Sequence, residues 1–224
     1  MTANEQNAVC EARFLPCSPM KIKFCGFTRN DDVRAAVNLG VDAIGLNLAR
    51  GPRKITVERA AELVRLIPPF ITAVALFVDE DEIGILNVMR LTRCSVVQLH
   101  GNEPPELAER LSVRFPVIKA FAVKDAGALS ELRGYPADAY LLDAAVPGVS
   151  GGTGMTWDHH LLAGVTFDRP VILAGGLNPL TVASAIAATK PYGVDVASGI
   201  ESSPGIKDVE SMRRFVAACR KWAG

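Results

Sequence analysis

The chain has 224 residues, 49% of them hydrophobic, and its 24 Lys and Arg balance its 24 Asp and Glu for a formal net charge of zero. A chain of this size suits one α/β barrel around a large core. Its charge balance gives it no electrostatic reason to bind nucleic acid or an anionic membrane, so the expected partner is a small molecule.

No apolar run reaches the ~18–20 residues that span a bilayer. Residues 1–19 have neither the basic nor the apolar stretch of a signal peptide and read as a flexible extension. The cysteines are Cys10, Cys17, Cys25, Cys94 and Cys219, odd in number, scattered, and without a C-x-x-C pair. That argues against a disulfide framework and a structural zinc site, and it makes the cytosol the simple inference. Cys10 and Cys17 are read as incidental.

From Met20 onward, short aliphatic runs alternate with amphipathic stretches. Residues 21–24 read as a strand and 30–39 as a helix. Residues 42–48 follow as a strand, then a helix starting near Thr56, an N-cap ahead of Ala60, Leu63, Val64 and Ile67. The pattern continues with strand 71–77 and helix 82–91, then strand 96–99 and helix 106–112. In the second half come strand 117–121 with helix 126–133, and strand 139–142 with a helix from near Trp157. Strand 171–173 precedes a helix over 179–188, where Asn178 caps and Pro179 takes the first helical position. Strand 193–196 precedes the last helix, 209–221.

These strands show little in–out alternation, as expected where both faces are buried. Strict βα alternation requires parallel strands, and eight units close into a (β/α)8 TIM barrel. The alternative is an open doubly wound sheet, but no G-x-G-x-x-G follows the first strand. No linker or composition shift divides residues 20–224, which read as one domain.

In such a barrel the active site forms where strands end and βα loops begin. The polar residues there are Cys25, then Arg50 and Arg53, Asp79, Gln98 and His100, Lys119 and Lys124, Asp143, Gly175 to Asn178, Asp195, and Ser198 with Gly199. Glycines let the backbone approach a phosphate closely and present its N–H groups, best at a helix N-terminus. Gly175 and Gly176 follow strand seven, and Ser198 and Gly199 follow strand eight, the common phosphate site of barrel enzymes. Gly152, Thr153 and Gly154, after strand six, are placed to close over the same anion.

Cys25 ends strand one before a glycine, so its thiol should face the barrel mouth. Nearby positive charge, from Arg53 and the phosphate site, would lower its pKa and make a thiolate base; the alternative is a small buried apolar residue. Asp143 and Asp195 each end a buried strand, as structural carboxylates or as acids. A thiolate base opposite a carboxylic acid suits a proton-transfer isomerisation, which needs no metal and no redox cofactor. His100 reads as a substrate contact or as a hydrogen-bonded support. His159 and His160 are adjacent and cannot share a helix face, which argues against a metal site there. Two competing readings are a Schiff-base barrel with Lys119 as its amine, and a phosphate-binding protein without chemistry.

The motifs resemble one family. Lys23-Phe24-Cys25-Gly26-Phe27-Thr28-Arg29 is similar to the K-I-C-G-I/L-T opening of phosphoribosylanthranilate isomerases, and Val97-Gln98-Leu99-His100-Gly101 to their V-Q-L-H-G strand. Asp143 followed by Gly151-Gly152-Thr153-Gly154, then Ala174 to Pro179, then Val194 to Glu201, resemble the family's later motifs in its order. The resemblance implies a TIM barrel that converts N-(5-phosphoribosyl)anthranilate by an Amadori rearrangement in tryptophan biosynthesis. It implies Cys25 as the general base at ribose C2 and Asp143 as the general acid at the ring oxygen. It further implies Arg53 near the anthranilate carboxylate, Asp195 orienting substrate, and phosphate on the N–H groups around Gly176, Ser198 and Gly199. The related histidine-pathway barrels use paired aspartates, whereas Cys25 points to the anthranilate substrate. The expected state is a monomer or a homodimer.

Two features depart from the family pattern. Phe24 stands where Ile is usual. The stretch Leu46 to Arg53 lacks the aromatic F-x-F and has a shorter loop, so Arg50 and Arg53 compete for the carboxylate role.

Overall fold

Eight parallel strands close on themselves in chain order, β1 pairing with both β2 and β8, in the computed structural model of the chain, which describes residues 20–123, 132, 134–144 and 165–221. They are β1 (Lys21–Cys25), β2 (Ala43–Asn47), β3 (Thr72–Phe77), β4 (Val96–Leu99), β5 (Val117–Val123), β6 (Ala139–Ala144), β7 (Val171–Leu173) and β8 (Gly193–Val196). The described helices are α1 (Asn30–Asn38), α2 (Val57–Val64), α3 (Glu82–Thr92), α4 (Pro105–Ser112), α5 (Val182–Thr189) and α6 (Val209–Arg220). The expected helices over 126–133 and from Trp157 lie outside the described residues. So do residues 1–19, Lys124, the loop with Gly152, Thr153 and Gly154, and His159 and His160.

Local chemistry sets most boundaries. Thr56 Oγ1 accepts from the Arg59 N–H at 3.2 Å, and Asp81 and Asp208 cap α3 and α6 in the same way. Each satisfies a donor left free by the first helical turn. One boundary differs from expectation: α5 starts at Val182, not Pro179. Asn178 Oδ1 does accept from Leu180 and Thr181 N–H, but it closes a separate turn ahead of the helix.

Alternation along each strand divides side chains between two layers. Ile22 and Phe24 join the large core between barrel and helices, where Phe24 meets Phe215 of α6 edge-on at 5.8 Å. The family's smaller residue is thus replaced by an aromatic pair. Ala120, Ala139, Leu141, Ile172 and Ala174 form a small second cluster, and Lys23 and Cys25 face the other side of β1 from Phe24. After β8, a 3-10 turn (Ser198–Ile200) leads into a hairpin of β9 (Glu201–Ser203) and β10 (Ile206–Lys207), which the hydrophobic pattern does not announce.

Candidate active site

Cys25 is buried at the end of β1, paired in register with Gly45 of β2. A side chain at Gly45 would stand 2.7 Å from the Cys25 sulfur and 3.1 Å from the Lys23 ammonium, so only glycine leaves room for both. Lys23 pairs in register with Asp195 of β8, and its Nζ lies 2.9 Å from Asp195 Oδ1 inside the barrel. Burial pushes the Cys25 thiol up, Lys23 pulls it down, Asp195 opposes, and Lys207 pulls down again; burial prevails and the thiol sits above its ordinary value. The sequence expectation of a lowered thiol pKa is thus reversed, because desolvation of the buried thiolate exceeds the help of the nearby cations.

Arg53 reaches the same place by a tight loop. Asn47 Nδ2 donates to the Arg50 carbonyl and its Oδ1 accepts from Ala49 N–H, both at 2.9 Å. Ile55 N–H then donates back to the Asn47 carbonyl at 2.9 Å. The chain turns sharply and lays the Arg53 side chain on Gly26, where a Cβ would stand 2.4 Å from Arg53 Cδ. Arg53 grips Glu201 by two nitrogens, Nε–Oε1 at 2.8 Å and Nη2–Oε2 at 2.7 Å. Arg50 is solvent-exposed, so Arg53 is the arginine beside Cys25.

Lys207 completes this side. Its fully buried Nζ donates to the carbonyls of Cys25 (2.6 Å) and Ala197 (3.1 Å) and to Glu201 Oε1 (2.8 Å). Burial holds the ammonium below its usual pKa. Burial also works against Glu201, but Arg53 and Lys207 outweigh it and keep the carboxyl below its ordinary range.

Asp143 lies near the end of β6, three strands away around the barrel. His100 Nε2 sits 3.3 Å from Asp143 Oδ2, and Gln98 Nε2 lies 3.1 Å from His100 Nδ1. With the Gln98 amide donating to Nδ1, the ring proton resides on Nε2 and faces the carboxylate. His100 thus contacts side chains of the rim through both ring nitrogens.

Gly175 (φ 82°) and Gly176 (φ 67°) make a left-handed turn after β7. A Cβ at Gly199 would fall 1.9 Å from the Leu177 carbonyl oxygen. The loops after β7 and β8 therefore touch, and Gly175, Gly176, Ser198 and Gly199 share one stretch of the rim. In strand order this stretch lies between Asp143 on β6 and Cys25 on β1.

Lys119 goes elsewhere. It lies on the opposite face of β5 from Ile118 and Ala120, over the rings of Phe121 and Tyr135, and pairs with Glu103 at 2.7 Å. An amine nucleophile there would face the helix layer, which removes the Schiff-base reading. Asp79, with φ 54°, binds Asn102 N–H at 2.6 Å and ties two loops together. The sequence reading missed Lys23, Glu201 and Lys207 as parts of the site. Lys23 carried a signal, since it stands two residues before Cys25 and strand alternation puts both on one face. Glu201 stood within a quoted motif, while Lys207 had no signal at all.

The chain matches the family model for N-(5'-phosphoribosyl)anthranilate (PRA) isomerase over residues 22–218. It is 42% identical over 204 residues to the N-(5'-phosphoribosyl)anthranilate isomerase of Geobacter sulfurreducens, covering 91% of this chain and all of that one. The solved phosphoribosyl anthranilate isomerase of Thermotoga maritima superposes with a TM-score of 0.85 at 35% identity, covering 90% of this chain and 99% of that one. Another solved isomerase, bound to reduced 1-(o-carboxyphenylamino)-1-deoxyribulose 5-phosphate, matches with a TM-score of 0.82 at 34% identity, over 90% of this chain and 99% of that one. With sequence, fold and the order of the strand-end residues in agreement, the chain belongs to the N-(5'-phosphoribosyl)anthranilate isomerase family.

Proposed function

We infer that the chain converts N-(5-phosphoribosyl)anthranilate to 1-(2-carboxyphenylamino)-1-deoxyribulose 5-phosphate, the isomerisation step of tryptophan biosynthesis. The observation that carries this reading is the placement of the glycine-lined rim of β7 and β8 between Asp143 and Cys25. A phosphate held there stretches the ribose across the mouth with a carboxyl on one side and a thiol on the other.

The chemistry follows from that placement. Asp143, as the acid, gives its proton to the ring oxygen; the C1–O bond breaks and the nitrogen lone pair forms a C1=N iminium. Cys25, as thiolate, removes the C2 proton, and the C–H electrons make a C1=C2 bond that neutralises the nitrogen. Protonation at C1 and loss of the O2 proton then give the ketose. His100 orients Asp143. Arg53 is the cation for the anthranilate carboxylate, and its bond to Glu201 fixes its direction. Phosphate rests on N–H groups around Gly175, Gly176, Ser198 and Gly199. A freely diffusing phosphorylated substrate and three buried free thiols support a cytosolic protein, acting as a monomer or homodimer. No described helix is long and apolar enough to cross a membrane.

The test is the decay of substrate fluorescence on adding purified protein. Rapid decay with the wild type and none with Cys25→Ser is the expected result. A folded wild type that leaves the fluorescence unchanged overturns the assignment.

A further inference from the structure

A thiolate buried in a barrel is costly, so a chain that uses one as a base must supply a counter-ion. Five charged groups act on or beside Cys25. Lys23 lies on its own strand, Asp195 on β8, and Lys207 on β10, while Arg53 in the loop after β2 is countered by Glu201 on β9. Asp32 of α1 accepts from the main-chain N–H of Lys207 at 3.0 Å. Counting Lys23, Lys207 and Arg53 against Asp195 and Glu201, this cluster carries one excess positive charge with Cys25 as thiol. It becomes neutral when Cys25 ionises.

The three cations are not equivalent. Lys207 Nζ spends its three protons on two carbonyls and Glu201. Arg53 directs its fork at Glu201. Lys23 Nζ gives one proton to Asp195 Oδ1, and its ammonium faces the same space above Gly45 as the Cys25 sulfur, where the two attract. Gly45 is the place where both meet, since one added carbon would crowd the sulfur and the ammonium together.

We propose that Lys23 is a further catalytic residue, the buried ammonium that serves as counter-ion to the Cys25 thiolate, with Asp195 holding that ammonium in place. In the activating step the S–H proton leaves for solvent, the electron pair stays on sulfur, and Lys23 keeps its proton throughout. Asp195 therefore acts on the base through Lys23 as well as on the substrate. Lys23 sits above its ordinary pKa because Asp195 and Cys25 outweigh the cost of burial, so it remains charged when the thiolate forms.

This proposal rests on Cys25 being the base, and its test does not need turnover. Iodoacetamide labelling rates of Cys25, resolved by peptide mass spectrometry across about pH 7 to 11.5, read the thiolate fraction. Lys23→Met should move the labelling midpoint up by about one pH unit or more, with a loss of roughly tenfold or more in kcat/KM at neutral pH. Lys23→Arg should restore most of both. A folded Lys23→Met protein with an unchanged midpoint overturns the proposal. Should that variant fail to fold, Lys23→Met is made together with Asp195→Asn, which removes the buried pair as a unit. A midpoint above that of Asp195→Asn alone supports the proposal, and an equal midpoint overturns it. Loss of turnover in Cys25→Ser alongside a shifted midpoint in Lys23→Met supports both readings; full turnover in Cys25→Ser removes the base assignment alone.

Discussion

Cys25 is surrounded by buried lysine and carboxylate side chains, whereas Asp143 faces an imidazole that is itself held by an amide. The base side draws on β1, β2, β8 and the β9–β10 hairpin, elements far apart in sequence; on the acid side the Asp143–His100–Gln98 contacts join β6 to the end of β4. Fixed ammonium and guanidinium groups stabilise an anion that must be made before the reaction starts. A histidine beside the acid fixes the direction of its carboxyl. The difference teaches where each kind of substitution should tell: charge removal on the base side, and proton-state or orientation changes on the acid side.

The broadest break comes from the reacting groups themselves. Cys25→Ser and Asp143→Asn should each lower kcat by ~10²–10⁴-fold, the usual scale for general acid–base groups. They should differ in the pH profile. The wild-type limb belonging to Cys25 should rise with pH in the alkaline range, because burial has lifted the thiol above its ordinary value and only the thiolate is a base. Cys25→Ser should lose that limb and Asp143→Asn should keep it. Steady-state kinetics across pH checks both.

Next is Glu201, which joins Arg53 to Lys207. Glu201→Gln leaves two buried cations without their counter-ion, a loss of ~3–5 kcal/mol for a broken buried pair. Arg53 loses its direction, so KM should rise more than kcat falls, by about 10–100-fold if the ~3 Å positioning of the carboxylate is lost. The acid limb of stability should change too. The folded carboxyl titrates below the ordinary 4.5, so its contribution is complete above that value and disappears as pH falls through the lower folded one. Glu201→Gln should flatten that part of the acid unfolding curve, read by circular dichroism.

How much of this was legible follows the same division. All eight strands were placed by hydrophobic runs, because a parallel barrel strand buried on both faces is short, aliphatic and bounded by turn residues. Cys25, Asp143 and His100 were legible because the end of a barrel strand is itself a functional address. The charged network was not, since Lys207 reaches Cys25 only through a hairpin of short strands, and a sequence scan treats a lone lysine beside Gly205 and Ile206 as solvated. The turn at Asn178 illustrates a third case. An Asx side chain followed by Pro179 reads as a helix start, yet the same hydrogen bonds also close a turn, and the choice between them rests on packing.

On the acid side, His100→Gln keeps a group able to donate to the carboxylate but removes the imidazole ring. We expect kcat to fall about tenfold, short of the loss from Asp143→Asn, because the carboxyl remains and only its orientation is relaxed. KM should stay within about twofold, since neither the phosphate rim nor Arg53 touches this residue. An effect on KM equal to that on kcat would instead make His100 a substrate contact.

The mildest effect should come from Asn47, whose side chain closes the loop that carries Arg53. Asn47→Ala removes two hydrogen bonds at the rim, worth about 1 kcal/mol each where partly exposed. Arg53 remains tied to Glu201 on the far side, so the guanidinium is still held at one end. A rise in KM of about two- to fivefold with unchanged kcat is the outcome for a loop that only pre-orders its arginine. If Asn47→Ala matched Glu201→Gln in KM, the loop rather than the hairpin would be the element that aims Arg53. The short turn after β2 would then be a determinant of substrate binding on the base side.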